Sequence, residues 1–75
     1  MSDITARIAD DLAQEALALA RELGDEDLVA EVSKVIGAGS STTQEAFLTA
    51  VRIRTAEARA RAYLAERRAQ ASGKT

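Results

Sequence analysis

TQEAFLTAVRIRTAEARARAYLAERRAQA, residues 43–71, contains neither glycine nor proline. Its Ala, Leu, Arg, Glu and Gln are strong helix formers, and the two residue types that interrupt helices are missing. The stretch therefore predicts one helix over about 43–70, roughly 42 Å long at 1.5 Å per residue. Thr42 with Glu45, or Ser41 with Gln44, has the spacing of a capping box that would open it.

Upstream, Gly37-Ala38-Gly39-Ser40-Ser41 predicts the longest connection in the chain. Before it, Leu28, Val29, Val32, Val35 and Ile36 gather on one helical face, with polar Glu31, Ser33 and Lys34 between them. That spacing predicts a helix over about 26–36 rather than a strand, although the β-branched residues lower its helix propensity. Asp25 is its expected N-cap, and Glu26 and Asp27 suit the positive end of its dipole. Gly24 is the expected C-terminal stop of a first helix spanning about 3–23, with Ser2 as N-cap.

On that first helix Ile4, Ile8, Leu12, Leu19 and Leu23 fall within about 100° of arc. A ridge of Ala6, Ala9, Ala13, Ala16 and Ala20 lies beside this stripe. The fold expected is all-α: a three-helix bundle in which residues 1–71 form one domain and 72–75 a disordered tail. Short connections make sequential helices neighbours and predict an up-down-up order. The expected core is Leu12, Leu19, Leu23, Leu28, Val32, Val35, Ile36, Phe47, Leu48 and Val51. The third helix outruns both others, so its far end must overhang, fray or find a partner.

The chain has 75 residues and no Cys, His, Trp or Pro. That excludes disulfide scaffolds, zinc fingers, thiol and imidazole catalysis, and proline-rich adaptors. Asp11 and Glu15 share a helix face but have no histidine to complete a metal-carboxylate site, and Asp11 is a ready partner for Arg7. Asp25-Glu26-Asp27 lacks the ligand order of a calcium loop. Residues 37–42 lack the Gly-Lys-Ser/Thr ending of a phosphate loop. No catalytic residue, metal or cofactor is predicted, and the chain is not expected to be an enzyme. Met1-Ser2-Asp3-Ile4 is not the start of a signal peptide, and no apolar run approaches the ~20 residues of a membrane span. A cytoplasmic protein without membrane contact is expected.

Charge is divided along the chain. Residues 1–45 hold ten acids and three bases, whereas 46–75 hold seven bases and two acids. On the third helix Arg54, Arg61 and Arg68 recur every seven residues, Arg52 and Arg59 form another edge, and between them runs Leu48, Val51, Ala58, Ala62, Ala65 and Ala69. Arg on both flanks disfavours this seam pairing with its own copy and suits packing on the first two helices, where Asp11, Glu15, Glu22 and Glu31 offer counter-charges.

Ile53, Ala56, Ala60, Tyr63 and Leu64 lie roughly opposite that seam, where a small bundle has nothing to pack. Ile53, Arg59, Tyr63, Leu64 and Arg67 are the expected partner-binding residues, with the aromatic ring and its cationic neighbours at the centre. The expected function is a non-enzymatic protein–protein interaction module whose partner is another protein or a second copy. The rival is nucleic-acid binding through the Arg-rich helix. Three features oppose it: a loop longer than a helix-turn-helix turn, a third helix that opens on Thr43-Gln44-Glu45 rather than on bases, and a net charge of −2.

Overall fold

The computed structural model describes residues 4–73, and they form three helices: α1 (Ile4–Leu23), α2 (Leu28–Gly39) and α3 (Ser41–Ser72). This is the expected all-α three-helix bundle with a long third helix. The expected cap Ser2 and the last two tail residues, Lys74 and Thr75, lie outside the described residues. Ser72 and Gly73 do not belong to a tail: Ser72 closes α3, and the Gly73 N–H donates to the Ala69 carbonyl at 2.9 Å.

α1 ends where its glycine stands. Gly24 has φ +65°, the left-handed conformation that L side chains resist. Its N–H donates to the Arg21 carbonyl at 3.3 Å and the Asp25 N–H to that of Ala20 at 2.9 Å, the paired closure of a Schellman motif. Asp25 does not cap α2 directly. Its carboxylate accepts from the Asp27 N–H at 2.9 Å in an Asx turn, and this turn delays α2 to Leu28, two residues later than expected.

The expected loop over 37–42 collapses to one residue. α2 runs through Gly37, Ala38 and Gly39, and only Ser40, extended at φ −160° and ψ 110°, separates it from α3. A packing contact outweighs the poor helix propensity of glycine. The Gln44 amide occupies the space that a Gly37 side chain would need, and from there donates to the Ser33 carbonyl at 2.9 Å and the Ser33 hydroxyl at 3.3 Å. Ser33 is itself buried. The cap of α3 is Ser40, not Ser41 or Thr42: its hydroxyl accepts from the Thr43 N–H at 3.0 Å and donates to the Thr43 hydroxyl at 2.9 Å. α3 consequently begins two residues earlier than expected and spans ~48 Å.

Phe47 is wholly enclosed, against Ala9, Ala13 and Ala16 of α1. Leu12, Val29, Val32, Ile36, Ala46, Leu48, Ala50 and Val51 pack around them, partly buried. α1 therefore turns its alanine ridge inward. The Ile/Leu stripe, about a quarter-turn away, is left largely outside: Leu19 and Leu23 are exposed, and so is Val35 of α2 at 74%. These three expected core residues are corrections, and Leu28 is only half-buried. Small side chains let the backbone of α1 come close enough to close over the ring, which a Leu/Ile surface would hold away.

The up-down-up expectation is also corrected. Asp10, early in α1, bonds Arg54, whereas Ala13 and Ala16, later in α1, share a cluster with Phe47, earlier in α3. The contacts run in opposite order, so α1 and α3 are antiparallel and α3 projects past the N-terminal end of α1. All residues from 58 to 73 are exposed. The Cα envelope is a slab of 56 × 34 × 13 Å, and among the described residues Phe47 is its one large fully buried side chain.

Two stability measurements test this packing. Phe47→Ala should cost about 3–5 kcal/mol and abolish the cooperative thermal melt. Gly37→Ala should have little net effect in the native chain, because displacing Gln44 offsets the gain in helix propensity, but should stabilise a Gln44→Ala background by about 0.5–1 kcal/mol in denaturant titrations. Equal effects in both backgrounds would show that the two residues do not compete for space.

Candidate interaction surface on the third helix

Where α1 and α3 both present alanine, their surfaces leave a groove of about 350 Å³ lined by Ala6, Asp10, Ala46, Thr49, Ala50 and Ile53. Its walls are mostly methyl groups. Its charged margin is one ion pair: Arg54 holds Asp10 in a two-pronged contact, Nε to Oδ1 at 2.8 Å and Nη2 to Oδ2 at 2.6 Å. Gln14 adds a bond to Asp10 at 3.2 Å. On the other side of Arg54, Glu57 lies at 3.5 Å and is bound in turn by Arg61 at 2.9 Å. The row Asp10–Arg54–Glu57–Arg61 alternates in sign and ties α1 to the middle of α3.

The expected counter-charges were Asp11, Glu15, Glu22 and Glu31. Among the described residues none of these forms an ion pair, nor does Arg7 pair with Asp11; Asp10 takes the role instead. The reason lies in the face that α1 turns inward. With Ala9 and Ala13 buried, Asp10 lies at the α3 edge, whereas Asp11 and Glu15 point about 100° or more away from it.

Each expected partner-binding residue is on the surface. Ile53 is 62% exposed, Tyr63 55% and Leu64 59%, and Arg59 and Arg67 are exposed as well. They do not form one stripe. Ile53 and Leu64, eleven residues apart, fall within about 20° of each other, with Ala60 near the same line, whereas Tyr63 lies about 100° round the helix from Leu64. Tyr63 forms a small polar site of its own, its hydroxyl accepting from Arg67 Nη1 at 3.1 Å. Arg59 has no polar side-chain partner among the described residues. The expected alanine seam at 58, 62, 65 and 69 meets neither α1 nor α2, because both end before it.

Ala6, Asp10, Ala46 and Ala50 were not anticipated as surface-forming residues. A signal for Ala46 and Ala50 is present in the sequence: Ala46, Ala50, Ile53, Glu57, Ala60 and Leu64 alternate spacings of four and three, the repeat of a coiled-coil seam. A second, smaller groove of about 170 Å³ lies between α1 and α2, lined by Leu12, Glu15, Ala16, Leu19, Leu28 and Val32. Among the described residues there is no cluster of potential metal ligands, and no helix is long and apolar enough to cross a membrane.

The Arg54 guanidinium, through its hydrogen bonds, holds the Asp10 carboxyl below its ordinary value near pH 4. A carboxylate whose pKa is lower folded than unfolded contributes stability in full above the unfolded value, and the contribution is lost as pH falls through the folded one. Denaturant midpoints measured from pH 6 down to pH 2 should therefore fall on acidification. Asp10→Asn should flatten that slope, and an unchanged acid limb would show that the pair is not coupled to folding.

No known protein family, curated protein or solved structure matches this chain.

Proposed function

We propose that this chain is a small non-enzymatic protein–protein interaction module that docks its partner through α3. One observation carries the reading: α3 continues as an exposed helix for its whole second half, with Leu64 and Tyr63 on it, beyond anything its own bundle covers. An isolated helix of this length is marginal in water, so a partner that covers it also stabilises it. Tyr63 and four arginines, residue types enriched among binding hot spots, are exposed on it. A cytoplasmic setting belongs to the same proposal and is tested by fractionation.

A second reading, nucleic-acid binding, draws on Arg59 and Arg68, both exposed and without a carboxylate partner among the described residues. The α2–α3 connection, the single residue Ser40, is shorter than a helix-turn-helix turn, not longer. Against this reading, the first turn of α3 carries no base, and its Gln44 is engaged on Ser33 inside the bundle.

A photo-crosslinking residue at position 64, introduced into the full chain in its source cells, separates the two. The interaction reading expects a covalent adduct with a polypeptide. Adducts with nucleic acid alone, together with heparin retention that collapses with salt and is lost in Arg59→Glu/Arg68→Glu, would replace it with the second reading.

A further inference from the structure

We infer that the partner α3 fits is a second copy of this chain, the two α3 helices running antiparallel, with Leu64 of each copy seated in the α1–α3 groove of the other. This inference rests on the reading of α3 as a docking helix and names its occupant.

Ala46, Ala50 and Ile53 line the groove, and the same coiled-coil repeat continues through Glu57 to Ala60 and Leu64 on the free half. A single face of α3 thus carries a socket at one end and a projecting side chain at the other. In a two-fold interface, if residue i of one copy meets residue j of its partner, j also meets i. Ala50 and Leu64 stand seven residues on either side of Glu57. An antiparallel two-fold centred at Glu57 therefore places both Leu64 side chains over the two Ala50 positions in one operation, and brings together the two Glu57 carboxylates, each already paired with Arg54 and Arg61 of its own copy.

Charge favours the antiparallel direction. Residues 4–39 carry eight acids and three bases, a net of −5, whereas residues 58–72 carry four arginines and one glutamate, a net of +3. Antiparallel association lays the basic half of each copy along the acidic end of the other. A parallel association would stack the two basic halves on each other, which like charge disfavours. Arg61 and Arg68, one turn to either side of Leu64, approach the groove margin formed by Asp10. The alanine seam at 58, 62, 65 and 69 lies beyond α1, so pairing it with itself brings no carboxylate of α1 to these arginines.

The chain contains no cysteine, so introduced thiols report register directly. Sedimentation of the full chain across ~5–200 μM should show a dimer, and Leu64→Asp should weaken it at least ~10-fold, with any loss of helical circular dichroism confined to the amount the free half of α3 contributes. Ala50→Cys and Leu64→Cys chains, mixed and treated with a short bismaleimide, should link to each other, and Leu64→Cys alone should not link to itself. Self-linking of Leu64→Cys, or a monomer throughout the concentration range, overturns the inference. The crosslinker at position 64 distinguishes the two levels. An adduct joining the region of Ala50 in a second copy supports both, a foreign polypeptide on a monomeric chain overturns the second copy and leaves the interaction reading standing, and no polypeptide adduct removes both.

Discussion

The enclosure of Phe47 by three alanines is the contact on which the rest of this molecule depends. A ring of that size contributes more apolar area than any other buried side chain here, and among the described residues it is the one large side chain that is fully buried. Methyl side chains at 9, 13 and 16 allow α1 to approach α3 closely, and this approach sets the pairing of Asp10 with Arg54 and the depth of the groove beside them. It also has a cost. The helix can turn only one face inward, and choosing the alanines leaves Ile8, Leu19 and Leu23 largely exposed.

The corner between α2 and α3 is the second determinant. Two glycines in a helix ordinarily signal its end, because each costs about 1 kcal/mol against alanine. Here the missing side chain at Gly37 admits the Gln44 amide, and hydrogen bonds to a buried serine compensate the lost propensity. The result is a one-residue connection in place of a loop. Phe47 follows two turns into α3, so the corner also aims the ring at α1.

Both features bear on function through what they leave bare. The antiparallel relation of α1 and α3 sends the surplus length of α3 out beyond the N-terminal end of α1, away from the α1–α2 turn. A groove with alanine walls and an arginine-rich helix are consequently joined on one continuous face at opposite ends. That geometry motivates the proposed docking mode more than any single residue does, since Leu64 or the groove alone would be an ordinary surface feature.

The sequence by itself determined the helical class, the number of helices, the great length of the third and the stop at Gly24. Those properties follow from local causes: propensity, periodicity and the steric freedom of glycine act within a few residues. It also determined the division of charge and the surface position of Ile53, Tyr63 and Leu64. Only the tertiary structure decided which of two faces of α1 turned inward, because the Ile/Leu stripe and the alanine ridge share one period and differ only in what can approach them. It alone decided the antiparallel course of α3, the choice of Asp10 over Asp11, and the helical state of Gly37 to Gly39. Each of these depends on side chains distant in sequence, Phe47, Arg54 and Gln44, whose positions no local pattern specifies.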